Sequence, residues 1–121
     1  MIFLIIKAFQ KLNSQIYEAS GIVSAVCHGV GALLNIKSKA GELLIKDKAV
    51  TGYSNDEEVL AKALEKIPFK LEDELKSRGS KYTKASQPFT SYVVEDERII
   101  TGQNPQLTKE VAEKVLQVLR K

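Results

Sequence analysis

The run Ile22–Val26, which leads directly into Cys27–Gly31, constrains the fold more than any other part of the sequence. It is short, apolar and rich in β-branched residues, which is typical of a strand buried on both faces inside a parallel sheet. Before it, apolar residues recur at steps of three and four over Ala8–Ser20 and predict an amphipathic helix that ends at Gly21, its C′ residue. After it, Ala32–Leu34 predicts another helix. Together these elements indicate an α/β fold.

The middle of the chain predicts a second strand followed by further helices. After a polar loop over Lys37–Lys48, with a short extended piece at Leu43–Ile45, Ala49–Tyr53 has the composition of a strand. Ser54–Glu57 has the Ser-x-x-Glu spacing of a capping box and predicts a helix that runs to about Lys66. The elements predicted after it are a helix from Pro68 ended by Gly79, a short strand over Lys81–Thr83, a hairpin of Ser91–Val94 and Arg98–Thr101 around Glu95–Glu97, and a final helix with Asn104 as N-cap and Pro105 as first residue.

Composition restricts the kinds of site that the chain can hold. Its 121 residues fit a single domain, one Cys excludes an internal disulfide, and one Cys with one His excludes a zinc cluster. The 18 basic and 15 acidic residues are interspersed, so we expect no nucleic-acid partner. The apolar run Met1–Ile6 stops at Lys7, and neither a membrane span nor a signal peptide is recognisable. We therefore expect a cytoplasmic protein with no membrane partner.

Cys27 is the candidate nucleophile because it lies at the predicted strand-to-helix turn. Such a turn exposes a side chain above the sheet edge, as in a nucleophile elbow, and Gly29 and Gly31 let the backbone approach the sheet closely. A helix N-terminus behind Cys27 is expected to favour the thiolate, with the N–H of His28 directed at a developing oxyanion. The competing interpretation is a buried, inert Cys27 beside a His28 that is only a polar surface residue.

A nucleophile and a base need a third group that orients the base. Asp56, Glu57 and Glu58 follow the second predicted strand, and loops after parallel strands cluster at the carboxyl edge of a sheet. Glu57 fits the capping box, so either Asp56 or Glu58 could orient the imidazole of His28. Alternatively, all three acids only stabilise the N-terminus of the helix. The residues alone leave this choice open.

The segment Ile22–Gly29 followed by Ala32–Leu34 resembles the elbow of the ThiJ/PfpI superfamily. The resemblance is strongest to its glyoxalase III-like branch, which is often labelled a type 1 glutamine amidotransferase-like domain. The later landmarks occur in the family's order and spacing over nearly the whole chain: Leu44-Ile45, Val50–Asn55, Glu72–Leu75, Tyr92–Val94 and Ile100–Pro105.

The resemblance implies a flavodoxin-like α/β three-layer sandwich with a mostly parallel sheet. It implies that Cys27 is the nucleophile, that His28 shuttles protons, and that Glu58 is the acid that completes the triad. The implied activity is a glutathione-independent conversion of methylglyoxal to D-lactate through a hemithioacetal on the Cys27 thiolate. Neither a metal nor an organic cofactor takes part in that scheme.

The chain departs from the family pattern before the elbow. Members carry roughly a hundred residues there, as the first strands and helices of such a domain require, including a Glu that contacts the nucleophile and a Gly-Gly turn of the oxyanion hole. We expect residues 1–121 to be the C-terminal part of one ThiJ/PfpI-type domain, incomplete at its N-terminus, that forms a homodimer or associates with a complementary N-terminal half. The alternatives are a stress-related chaperone or redox-responsive protein without catalysis, and an inactive fragment. Glutamine amidotransferase activity is disfavoured because the one His adjoins the Cys.

Overall fold

The computed structural model describes residues 2–62, 69–104 and 108–120 and has an α/β fold. Within these residues none of the helices is long and apolar enough to cross a membrane. The elements are α1 (Ile2–Glu18), β1 (Val23–Val26), a 3₁₀ helix (Cys27–Leu33), β2 (Ala49–Val50), α2 (Asn55–Leu60), α3 (Leu71–Ser77), β3 (Lys81–Tyr82), β4 (Val93–Asp96), β5 (Ile99–Gly102) and α4 (Thr108–Leu119).

The main sheet has three strands in the order β1-β5-β4. β1 runs parallel to β5, from Val23 opposite Ile99 to Val26 opposite Gly102, and β4 pairs with β5 as an antiparallel hairpin. A second sheet contains β2 and β3 in parallel. Because the carboxyl ends of parallel strands meet at the same edge, the residues that follow β1 and β5 lie close together.

The sheet separates two hydrophobic clusters, which gives the expected three layers. Successive side chains of a strand point to opposite faces, and Ile99 packs in the larger cluster whereas Ile100 packs against Val111 of α4. The larger cluster is formed mainly by residues of α1, the 3₁₀ helix, α3 and the loop before β2: Tyr17, Val23, Val30, Leu33, Leu34, Ile36, Leu44, Ile45, Val50, Tyr53, Leu71 and Leu75. The prediction of an α/β sandwich is confirmed.

The prediction that β1 is buried on both faces is wrong. Val23 is buried, but Ser24 is exposed and Val26 is only half-buried. The reason is that β1 lies at the edge of the sheet, where β5 is its only partner strand within the described residues. An apolar composition indicated a central strand, but which strands flank it depends on the tertiary structure.

The end of α1 differs from the prediction by one residue. Ser20, not Gly21, is the left-handed C′ residue, with φ of +70°. The Gly21 N–H donates to the Ile16 carbonyl and the Ser20 N–H to the Tyr17 carbonyl, which is the Schellman pattern. Gly21 is required for another reason, since a Cβ there would lie 2.7 Å from the Ile16 carbonyl oxygen. α1 begins at Ile2, earlier than predicted, and includes most of the apolar run at the start of the sequence.

Two other helices show how well local rules predict ends. The predicted capping box is confirmed, because the Ser54 hydroxyl accepts from the Glu57 N–H while the Glu57 carboxylate accepts from the Ser54 N–H. The helix that it starts ends at Leu60, before the predicted Lys66, and residues 63–66 lie outside the described part. α3 ends as predicted at Gly79, where φ is +84°.

The remaining predictions concern loops and turns. The hairpin is confirmed, but its turn is Glu97-Arg98 rather than Glu95–Glu97, with φ of +53° at Glu97. The expected extended piece over Leu43–Ile45 is reduced to a bridge between Leu43 and Lys37, because Leu44 and Ile45 turn into the core. Pro68 and Pro105 lie outside the described residues, so the roles predicted for them stay predictions.

Candidate active site

Cys27 lies where the chain turns from β1 into the 3₁₀ helix. Val26 is extended, with φ of −131° and ψ of 152°, and Cys27 has φ of +59°. This left-handed conformation costs a non-glycine residue about 1–2 kcal/mol, so the surrounding packing has to impose it. The half-buried thiol is therefore held at the carboxyl end of β1, at the predicted strand-to-helix turn.

His28 links the thiol to a buried carboxylate. Its Nδ1 lies 3.8 Å from the Cys27 Sγ, and its Nε2 is hydrogen-bonded to Glu58 Oε1. The His28 side chain is half-exposed, whereas Glu58 is buried. A carboxylate oxygen accepts the Nε2 proton, which leaves the Nδ1 lone pair facing the sulphur. This is the order that a nucleophile, a base and an orienting acid require.

The three acids left open by the sequence occupy different environments. Asp56 is exposed and forms an ion pair with Lys84. Glu57 is buried and accepts hydrogen bonds from residues of the surrounding loops. Glu58 alone reaches His28, so the structure brings Cys27, His28 and Glu58 together and places the other two acids elsewhere.

Glu57 holds together the loops around the site. Both of its oxygens accept hydrogen bonds, and burial, which would raise the pKa of this carboxyl, is outweighed by these bonds, so the pKa is lowered. The donors are the backbone N–H and hydroxyl of Ser54, the backbone N–H of Phe89, and the side-chain amides of Gln103 and Asn104. The carboxylate thus connects α2 to the end of β5.

Burial raises the pKa of the Cys27 thiol, and the negative charges of Glu57 and Glu58 raise it further. The backbone N–H of His28 acts in the opposite direction but does not outweigh them. The first N–H of the helix therefore acts on the thiol pKa in the expected direction, but burial and two nearby carboxylates outweigh it. A protonated thiol makes the adjacent base necessary for nucleophilic attack.

Comparison with known proteins shows what the chain is similar to. No protein-family model matches the chain. It is 35% identical over 117 residues to a probable glutathione-independent glyoxalase of Schizosaccharomyces pombe, an alignment that covers 91% of the chain and 45% of that protein. The crystal structure of glyoxalase III from Candida albicans superposes with a TM-score of 0.84 at 32% identity, covering 90% of this chain and 48% of that one.

Over nine tenths of its own length the chain is thus similar to proteins named glutathione-independent glyoxalases. A ThiJ/PfpI domain protein from Brachyspira murdochii shares the fold, with a TM-score of 0.64 at 20% identity over 93% of this chain and 49% of the other. The chain spans about half the length of the curated relatives it matches. The resemblance that the sequence suggested is thereby confirmed.

Sequence reasoning missed two aromatic residues of this site. The Tyr53 ring lies 4.2 Å from the His28 ring, centroid to centroid, and the Phe89 ring meets Tyr53 edge-on at 5.9 Å. Burial raises the pKa of Tyr53 to about 12, with smaller contributions from the charges of Cys27 and the two glutamates. Tyr53 therefore packs against the imidazole as an uncharged side chain. Its position as the last residue of the predicted second strand, next to the three acids, was the available signal.

Gln103 and Asn104 were also missed as parts of the site. They follow β5, whose carboxyl end adjoins that of β1, and both are buried. The parallel pairing of β1 and β5 was the tertiary fact that would have placed them near Cys27. Their amides donate to Glu57, and that of Asn104 also donates to the Thr90 carbonyl, so both residues support the loops around the site.

Proposed function

We propose that this chain carries the nucleophile, the base and the orienting acid of a glutathione-independent glyoxalase that converts methylglyoxal to D-lactate. Two contacts of His28 support this proposal: its Nδ1 lies 3.8 Å from the Cys27 Sγ, and its Nε2 is hydrogen-bonded to Glu58. In this proposal residues 1–121 are the C-terminal part of a single ThiJ/PfpI-type domain. The complete pocket needs the other half of the relatives' length as well.

The first step adds the thiol to the aldehyde. The Cys27 sulphur forms a bond to the aldehyde carbon while the thiol proton passes to His28 Nδ1. The carbonyl π electrons move to oxygen, which then takes that proton and completes the hemithioacetal. Glu58 stabilises the transient imidazolium through the hydrogen bond at Nε2, as an orienting carboxylate does.

The second step moves a hydrogen between neighbouring carbons. His28 removes the proton from the carbon bonded to sulphur, giving an enediolate, and a proton returns to the adjacent carbon. The product is a lactoyl thioester of Cys27. Water then attacks the thioester carbonyl, the carbon–sulphur bond breaks, and lactate leaves with the thiol restored. The sum is methylglyoxal plus water to lactate, with no external oxidant or reductant.

The position of the thiol disfavours the redox-responsive alternative. Redox-sensing cysteines are solvent-accessible thiols of low pKa. Cys27 is half-buried, and its pKa is raised. It therefore fits a nucleophile activated by an adjacent base better than it fits a sensor.

The test is methylglyoxal consumption and D-lactate formation by the 121-residue chain, alone and mixed with the part of the Candida glyoxalase III that this chain does not match. We expect Cys27→Ala to abolish D-lactate formation, with Ser24→Ala as the matched control on the preceding strand. Equal D-lactate formation by the Cys27→Ala variant would show that the proposed nucleophile is wrong.

A further inference from the structure

The imidazole of His28 needs a second constraint besides its bond to Glu58. Its side chain is half-exposed, so dense packing does not surround it. Rotation of a histidine ring about the Cβ–Cγ bond is soft, with broad and roughly two-fold minima. That rotation moves both ring nitrogens, so it would carry Nδ1 away from the Cys27 sulphur and weaken the bond at Nε2. Another group has to fix the plane of the ring if Nδ1 is to face the thiol.

The Tyr53 ring lies where it can fix that plane. Its centroid is 4.2 Å from the centroid of the His28 imidazole, and the two planes make an angle of 40°. A flat ring this close to one face of the imidazole opposes its rotation by steric contact. Tyr53 is itself buried and belongs to the larger hydrophobic cluster. The core of the protein therefore holds the ring that faces the imidazole.

Two further contacts hold Tyr53 in place. Its N–H donates to the Cys27 carbonyl at 3.5 Å, which joins the loop after β2 to the turn that carries the candidate nucleophile. The Phe89 ring meets Tyr53 edge-on at 5.9 Å, and the Phe89 N–H donates to Glu57. Phe89 has φ of +57°, a left-handed conformation that its surroundings have to impose. Buried hydrogen bonds and core packing thus support the Tyr53 ring from behind.

The hydroxyl of Tyr53 makes a weaker contact than its ring. It donates to the Glu57 carbonyl at 3.5 Å, which is at the upper limit for a hydrogen bond. We propose that Tyr53 is a positioning residue, whose ring and not its hydroxyl keeps the His28 imidazole in the plane in which Nδ1 faces Cys27. This inference rests on the proposed function, in which His28 is the base.

The experiment compares Tyr53→Phe with Tyr53→Leu by ¹⁵N NMR of His28 in the 121-residue chain. Tyr53→Phe keeps the ring and should leave the proton on Nε2, as expected for the parent chain. In Tyr53→Leu the imidazole is free to rotate away from Glu58, so the preference for a proton on Nε2 should fall by up to about tenfold, the upper value for one aromatic contact. Tyr17→Leu, which removes a buried tyrosine of the same cluster at the end of α1, is the matched control and should leave the spectrum unchanged.

Turnover of methylglyoxal separates positioning from stability. Tyr53→Leu should lower kcat about tenfold and leave KM unchanged, since a misplaced base affects the transition state and not substrate binding. Tyr53→Phe should restore the parental kcat. Tyr17→Leu should lower the free energy of unfolding in urea without lowering kcat, because it removes packing away from the site.

The outcomes distinguish this inference from the proposed function. A His28 spectrum that Tyr53→Leu leaves unchanged overturns it, as does an equal change in Tyr53→Phe or in Tyr17→Leu. If Tyr53→Leu does not fold, Tyr53→Met, which fills the space without a flat ring, is judged by the same criteria. If the NMR results are as expected but the parent forms no D-lactate, the proposed reaction is contradicted and the positioning of His28 by Tyr53 is supported.

Discussion

Glu57 and Glu58 are consecutive buried carboxylates of one helix, yet their surroundings are opposite. Glu57 accepts hydrogen bonds from four other residues and uses both oxygens. Glu58 binds His28 through one oxygen, and the other, Oε2, is buried without a hydrogen-bond partner in the described part of the chain. A buried carboxylate whose two oxygens both accept hydrogen bonds stabilises a fold. A buried carboxylate oxygen without a partner indicates a functional role instead.

The difference between the two acids separates stability from chemistry within one turn of helix. Removing Glu57 takes away the acceptor of the buried Gln103 amide and of the Phe89 N–H, and removing Glu58 leaves an exposed imidazole without its orienting group. The first loss should act on folding and the second on turnover. Three changes test this division, beginning with the largest effect.

Glu57→Ala should lower the free energy of unfolding by roughly 3 kcal/mol, because it removes the acceptor of the buried Gln103 amide and of the Phe89 N–H. Urea denaturation followed by circular dichroism measures the change. Asp56→Ala, at the exposed neighbour, is the matched control and should alter stability little. Equal decreases in the free energy of unfolding of the two variants would contradict the structural role assigned to Glu57.

Glu58→Gln should reduce D-lactate formation about a hundredfold, since a neutral amide does not stabilise the imidazolium of His28. The side chain keeps its shape, so the free energy of unfolding should stay within about 1 kcal/mol of the parent. Turnover and urea denaturation are measured on the same sample. If Glu58→Gln lowered the free energy of unfolding but left turnover unchanged, Glu58 would have a structural role and not a catalytic one.

The pH dependence of thiol labelling gives the smallest effect. Burial raises the pKa of Cys27, and the charges of Glu57 and Glu58 contribute. The thiolate fraction is therefore small at neutral pH, and the rate of iodoacetamide labelling should still increase above pH ~8.5, the ordinary thiol pKa. Glu58→Gln removes a negative charge and should move the midpoint to lower pH. A labelling rate that is already constant at pH 7 would indicate a preformed thiolate.

Features set by nearby residues were predictable from the sequence. The capping box needs only Ser54 and Glu57, and α3 ends just before Gly79 because that residue adopts a left-handed conformation. The strand-to-helix turn at Cys27 follows from the order of apolar and glycine residues. In each case the interacting groups lie within one turn of each other along the chain.

Features set by distant residues were not predictable in the same way. The sequence favours Asp56 and Glu58 equally, and only the tertiary fold brings His28 to Glu58, thirty residues further along the chain. The raised pKa of Cys27 arises from burial and from charges about thirty residues away. The exposure of Ser24 depends on which strands flank β1, and the amino-acid composition of β1 does not predict its neighbours.

The most direct test of the central claim is the ¹⁵N NMR spectrum of His28, the one histidine in the chain. It reports the protonated ring nitrogen whether or not the chain turns over substrate by itself. If Glu58 orients the imidazole, His28 should carry its proton on Nε2 with Nδ1 free toward Cys27, and Glu58→Gln should abolish this preference while Asp56→Asn preserves it. A proton on Nδ1 in the parent chain, or a spectrum unchanged by Glu58→Gln, would contradict the assignment of Glu58.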